Sequence, residues 1–463
     1  MNEPLSMEDI LQKMICMMKY LRPMFPRLPI VACLLLLVAT PDKTSAQPLM
    51  TLDNAIAIGI RNNYNILMAR NEEEIARNDY QYAYGALLPQ INLNATRNWS
   101  SNNVNQSFSD GRKVDKKNAR SNVWNLTGNL NWTLFDGLRM FAAADELKNI
   151  RDRGELMVKS QVIQTVAAIM STYYLIVQQK QQLAAIAEQM QISEERVRIA
   201  QNKFSSGLGS KLDVLQAQVD LNAQRSAYLQ QQTLIAKTKA SLNQLIALPP
   251  DQDFEVVDSI PVDTTLQITN LKTVALQQNP DLLIASKNIQ IAQNNLQITR
   301  AQRFPTLSFN TTYSFNKQNS QATNPYQPIS NQNLGLTYGF SASIPIFHGF
   351  DIKRQIEDAQ LNIQYQQANL QNQTSQLQLA LQNAYQDYRY YIQAMQLEEN
   401  NVQVAEENVH IALAAFEQGQ STTLDVRTAQ QGLADAQARL ITARYNAKQA
   451  EITLLQLKGD LVQ

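Results

Sequence analysis

Two hydrophobic rhythms alternate along this chain. The first steps by four and three: Ala429, Leu433, Ala436, Leu440, Ala443, Ala447, Ala450, Leu454 and Leu457 follow one another without a break. Such a stripe predicts a helix that lies against another helix. Residues 138–204 and 350–416 contain no proline, and each predicts a rod about 100 Å long at ~1.5 Å per residue. On the first rod Val162, Val166, Ile169, Tyr173 and Ile176 form one seam, and Ile163, Met170, Val177 and Ala184 form a second beside it. Two seams demand neighbours on both sides, as in a wall of helices.

The second rhythm has period two. Trp124, Leu126, Leu130, Trp132 and Leu134 alternate with Asn125, Thr127, Asn129, Asn131 and Thr133. Leu307, Phe309, Tyr313 and Phe315 alternate with Ser308, Asn310, Thr312 and Ser314, and Leu334 to Ile346 repeats the pattern. A weaker version holds Ile91, Leu93 and Trp99. The pattern predicts strands near residues 88–100, 122–135, 305–316 and 333–346, each long enough to cross a bilayer when tilted. One face is uncharged and hydrophilic, as a wet lumen requires; the other is apolar and aromatic, as a lipid face is.

The chain also matches itself at a shift of about 212–216 residues. Asn63-Tyr64-Asn65-Ile66-Leu67 answers Asn279-Pro280-Asp281-Leu282-Leu283; Leu88-Pro89 answers Phe304-Pro305; Trp132 to Gly137 answers Ile344 to Gly349. Phe204-Ser205-Ser206-Gly207 with Leu212-Asp213-Val214 answers Phe416-Glu417-Gln418-Gly419 with Leu424-Asp425-Val426. So long a period indicates duplication of a whole unit: residues 47–250, a proline-bearing linker over 251–265, and residues 266–463. Residues 1–46 read as a signal peptide, with Lys19, Arg22 and Arg27 before an apolar run from Ile30 to Ala39 and small residues at Thr44-Ser45-Ala46. Both cysteines, Cys16 and Cys33, lie inside it, so no disulfide or thiolate chemistry is expected of the mature chain.

Lys and Arg balance Asp and Glu at 40 each, which offers no basic stripe for nucleic acid. His348 and His410 stand alone, and no phosphate loop, zinc-binding helix motif or nucleophile elbow appears. A non-enzyme without cofactor or metal is the expectation. Four strands cannot close a barrel, and an open edge in hydrocarbon leaves backbone groups unpaired at several kcal/mol each. Two copies give about eight strands and a filled barrel, three give about twelve with room for a pore; the count points to a homotrimer. The rival class, a periplasmic coiled-coil adaptor or structural protein without a pore, explains the helical seams but not the paired amphipathic strands.

The signal peptide, the duplicated helix–hairpin–helix unit and the twice-repeated Phe-x-x-Gly-x-x-x-x-Leu-Asp-Val turn resemble the TolC family of outer-membrane efflux proteins, over about residues 50–460. The resemblance implies an α+β membrane protein. Long helices would form a coiled-coil tunnel in the periplasm, and each protomer's four strands would join a trimeric twelve-stranded barrel in outer-membrane lipid. It implies an exit duct serving a tripartite efflux pump or type I secretion system, with a periplasmic adaptor and an inner-membrane pump as partners. By the same resemblance, Gly207, Leu208, Gly209 and Ser210, with Gly419, Gln420, Ser421 and Thr422, are tips that meet the adaptor. Asp425, Asp213, Thr428 and Phe416 would sit at the pore constriction. The chain departs from the family there: Thr428 replaces a second aspartate, Phe416 an aromatic hydroxyl that bonds the residue matching Asp213, and Ser421 an arginine. Other contacts are therefore expected to hold the tip closed.

Overall fold

The computed structural model describes residues 49–321 and 328–461; the expected leader lies outside them. Helices α1 (Leu52–Asn62) and α2 (Tyr64–Gln81) lead through a 3₁₀ turn into strands β1 (Gln90–Ser107) and β2 (Lys113–Phe135). Helix α3 (Arg139–Ser205) runs out and α4 (Lys211–Leu245) returns. The order then repeats: α5 (Ile268–Gln278), α6 (Pro280–Ala301), β3 (Thr306–Ser320), β4 (Ser330–Ser343), α7 (Asp351–Glu417) and α8 (Thr423–Lys458). Both outgoing helices have 67 residues. Each begins after a glycine in the left-handed region, Gly137 or Gly349, followed by a second left-handed residue, Leu138 (φ 69°) or Phe350 (φ 63°). That double turn swings the chain from strand to helix in the same way twice.

A second device is also used twice. Asn63 and Asn279 are buried. Each accepts two backbone N–H bonds at the start of α2 or α6. Each also donates its amide to the end of a return helix, to the Leu245 carbonyl at 2.7 Å and the Leu457 carbonyl at 3.0 Å. One side chain thus satisfies orphan groups at two helix ends.

The four strands form one antiparallel sheet in the order β1-β2-β3-β4. The register sorts the side chains cleanly. Leu93, Gly128, Tyr313 and Leu336 lie in one row, and Ala95, Leu126, Phe315 and Leu334 in the next row of the same face. The opposite face carries Asn125 and Asn316, joined at 2.6 Å, Asn129 and Thr312 at 3.0 Å, and Asn310 and Ser341 at 2.9 Å. The strands differ from expectation at their ends. The β1–β2 hairpin extends well beyond the apolar rows with polar residues, since a ribbon standing in water needs no apolar alternation. Strand β4 stops at Ser343, although the alternation continues through Ile344 to Ile346.

The main core lies beside the linker. Phe254, Val256 and Ile260 pack with Ile169, Tyr173, Ile176 and Leu242. The Tyr173 hydroxyl donates to the Met50 carbonyl at 2.9 Å. Lys180 pairs with Glu255 and Asp258, and Lys239 with Asp253 and Glu255. The segment after Pro250 is therefore a packed belt around the helices. The middle of α3 is apolar enough to span a bilayer by composition, and the belt packs over it together with α1, α4 and α8.

Candidate functional site: the paired helix reversals

Far from the sheet, the two reversals are built from the same residues. In the first, Gly207 N–H donates to Phe204 and Leu208 N–H to Lys203; in the second, Gly419 donates to Phe416 and Gln420 to Ala415. This is a Schellman stop, and it requires the positive φ of Gly207 (73°) and Gly419 (76°). Each return helix then opens with a capping box, Ser210 with Asp213 and Thr422 with Asp425. Gly207, Leu208, Ser210, Gly419, Gln420 and Thr422 are exposed, and Gly209 and Ser421 half-buried. A β-carbon on Gly209 would stand 2.8 Å from that of Lys203, so this second glycine is needed for closeness.

The predicted constriction residues divide. Asp425 is exposed, and its carboxylate accepts from the Thr422 N–H and hydroxyl, both at 2.8 Å; the backbone bond first, then the hydroxyl, hold it below the usual carboxylate range. Thr428 is exposed and donates to the Leu424 carbonyl of its own helix. Asp213 accepts from the Thr423 hydroxyl at 3.4 Å, linking one reversal to the other. Phe416 is buried against Ile199 and Val426, with Lys203 tying the hairpins beside it: its ammonium lies 4.0 Å from the ring centroid and donates to the Phe416 carbonyl.

Sequence reasoning missed what holds the hairpins together farther in. Arg196 on α3 is 1 % exposed, yet it pairs with Asp220 of α4 and donates to Gln430 of α8. Gln430 in turn donates to the Gln189 carbonyl and the Ser193 hydroxyl. Arg427 of α8 reaches the same Asp220 at 3.7 Å. A charged residue inside a seam reads as solvated surface in a sequence; the available signal was the uncommon position of Arg196 between Ile192 and Ile199. The clasp is an uncharged-to-charged network that joins three helices of two hairpins.

Comparison with known proteins agrees with this architecture. The family model for outer membrane efflux proteins matches residues 58–248 and again 271–460. The proteases secretion protein PrtF of Dickeya chrysanthemi is 22% identical over 445 residues, 93% of this chain and 92% of that one. The cation efflux system protein CusC of Escherichia coli O157:H7 is 23% identical over 423 residues, 87% and 85% of the two chains. Among solved structures, the outer membrane protein VceC of Vibrio cholerae superposes with a TM-score of 0.71 at 18% identity, covering 88% of this chain and 96% of that one. The fold is shared, the strand and helix order is duplicated, and the chain belongs to the outer membrane efflux protein family, the outer-membrane channels of efflux and secretion systems.

Proposed function

We propose that three copies of this chain close into one duct, with twelve strands in the outer membrane and a helical tunnel reaching into the periplasm. One observation carries the reading: contacts made inside the chain by the first repeat have no counterpart for the second. Helix α3 packs on α6 and on α8, whereas the equivalent α7 makes no comparable contact with α2 or α4. Ile199 is 6 % exposed; its equivalent Ile411 is 61 % exposed. Phe416 is 5 % exposed and its equivalent Phe204 is 42 %. Tyr390, Leu397, Val404 and Ile411 follow at heptad spacing along α7 and are all exposed, a seam without a partner. A neighbouring copy supplying its own α2 and α4, with Phe204 at the end of its α3, completes each missing contact.

The same equivalence supports a strand seam between copies. Leu126 pairs with Phe315 and Leu130 with Thr311 across β2 and β3. Their equivalents place Tyr338 opposite Trp99, and Ala342 opposite Ala95, of the next copy. Continued downward, Ile344 meets Leu93 and, past the counterpart of the register shift between Thr133 and Phe135, Phe347 meets Ile91, which accounts for apolar residues beyond the end of β4. Repeat units 47–250 and 266–463, joined over 251–265, are then six quasi-equivalent sectors of one ring. The exposed Leu208, Leu212 and Leu424 at the reversals suit docking of a periplasmic adaptor, with an inner-membrane pump beyond it. The relatives' names cover proteases and cations alike, consistent with a passive duct whose cargo is chosen elsewhere.

The test uses the absence of cysteine after Cys33. Paired strand residues stand ~4.5–5.5 Å apart, within disulfide reach. Ala95→Cys with Ala342→Cys should give covalent dimers and trimers on mild oxidation, and Ala95→Cys with Phe340→Cys far less. A chain that stays monomeric under oxidation in detergent, or crosslinks equally in both pairs, refutes the seam.

A further inference from the structure

The outward face of the sheet has a charge pattern that a plain lipid-facing surface does not need. From Ile91, Leu134, Leu307 and Ile344 up to the row of Ser101 and Arg120, below the register shift of the β1–β2 hairpin, its alternating positions contain no Asp or Glu and three cations: Arg97, Arg120 and Lys317. All three lie at the distal end, away from the helices, and all are exposed. Arg97, Trp124 and Lys317 share one row across three strands; Arg120 lies two rows farther out, across from Ser101. The Arg97 guanidinium rests 4.6 Å from the Trp99 ring and 4.7 Å from the Trp124 ring, with its Nε donating to Asn122 at 3.4 Å. The side chain therefore leans toward the hairpin end, lifting its charge out of the apolar rows. No ion pair with a carboxylate forms at any of the three among the described residues, and residues 322–327 contain no acid.

Arginine held between two tryptophans at the rim of an apolar band is preorganised: its aromatic contacts offset the cost of immobilising the side chain. Its outer N–H groups remain for a bidentate acceptor, and guanidinium and ammonium together favour phosphate oxygens. We infer that Arg97, Lys317 and Arg120 form a docking row for the phosphate groups of outer-leaflet lipids. The inference rests on the proposed barrel, because only that reading puts these rows at the outer headgroup level. Charge complementarity selects the occupant: a zwitterionic headgroup brings its own cation against the row, whereas a phosphorylated glycolipid brings net negative charge alone.

The experiment uses the full-length protein purified in an uncharged detergent, stripped of lipid and titrated with bisphosphoryl lipid A or with phosphatidylcholine under native mass spectrometry. The wild type should retain bisphosphoryl lipid A at least tenfold more than phosphatidylcholine at about 50 mM salt, and the preference should shrink toward about 500 mM. The triple variant Arg97→Gln, Arg120→Gln, Lys317→Gln should retain the two lipids alike, while Arg97→Lys, which keeps the charge, should hold most of the preference. Conductance in planar bilayers, unchanged in the triple variant, shows that loss of lipid is not loss of fold. A wild type that conducts yet retains both lipids equally overturns the docking row and leaves the duct standing. Undiminished preference in the triple variant overturns it as well. A chain that neither trimerises nor conducts refutes the barrel reading itself.

Discussion

The ammonium of Lys203 sits 4.0 Å from the centre of the Phe416 ring and bonds the same residue's backbone oxygen, so one side chain of the first hairpin holds the second at its tip. Where related tips are expected to use an aromatic hydroxyl, this chain uses a cation on the face of a phenylalanine. Lys203→Met removes both contacts while preserving the stem. Single-channel recordings should then show a larger or more frequent open state, and Lys203→Arg should restore the wild-type level. Identical conductance in all three would exclude Lys203 as a clamp.

Arg196 and Asp220 give the clearest stability test. Replacing Arg196 by Met strands the Asp220 carboxylate with only the distant Arg427 and removes the donor to the Gln430 side-chain oxygen. Breaking one side of a buried pair costs about 3–5 kcal/mol, whereas replacing both with apolar groups is often nearly neutral. Denaturation of Arg196→Met should therefore be much easier than that of Arg196→Met with Asp220→Leu. A double variant weaker than the single one contradicts this account.

Asp425 completes a capping box, and in the proposed trimer three copies surround a narrow throat. Rings of one sign favour counter-ions. Asp425→Asn keeps an oxygen for the Thr422 N–H and loses the charge, so reversal potentials should shift toward lower cation preference with the trimer intact. Unchanged selectivity would reduce Asp425 to its capping role.

Gly137 and Gly349 occupy equivalent left-handed positions, but a β-carbon on Gly137 would lie 2.5 Å from the Ala301 carbonyl, and one on Gly349 meets nothing within 4 Å of the same chain. If a neighbouring copy fills the place that Ala301 and Phe304 fill for Gly137, both substitutions to alanine should damage assembly. Trimer yield after detergent extraction is the measure; loss with Gly137→Ala alone argues against the neighbour.

The linker belt predicts acid sensitivity. Burial pushes the Glu255 carboxyl up, but hydrogen bonds from Lys180 and Lys239 outweigh it and hold the group below its ordinary value of 4.5. A depressed carboxylate contributes stability above its unfolded value and loses it as pH falls through the folded one. Thermal unfolding between about pH 6 and pH 3 should therefore drop more steeply below ~4.5 in the wild type than in Lys180→Met with Lys239→Met. Parallel profiles would dismiss the belt as the source.

The long helices were legible almost to the residue because Gly137 and Gly207, with their equivalents, mark where the backbone must turn left-handed. The two faces of the sheet were legible because one is apolar and the other polar, and a slip of one residue would invert them. Outside the apolar rows, Val104 to Ser107 and Lys113 to Asn122 pair through backbone bonds that side-chain pattern does not report. The end of β4 was misjudged for the opposite reason: Ile344 and Ile346 carry the pattern but have no strand beside them in one chain. At the reversals, turn chemistry showed the location, while the contacts that join the hairpins come from Lys203, Arg196 and Asp220. Their partners lie far away in sequence, and a charge on a helix looks the same whether it faces water or a buried glutamine.

Duplication within one chain also changes how such a ring can be assembled. Six separate half-length units would have to meet and close six joints, each at a rate set by their concentration in the envelope. Here the joints of β2 with β3 and of α3 with α6 and α8 form within one molecule, where the effective concentration of the partner is of millimolar order. In the proposed trimer only three joints remain to be closed by collision, so the probability of stalling at an incomplete ring falls at low copy number.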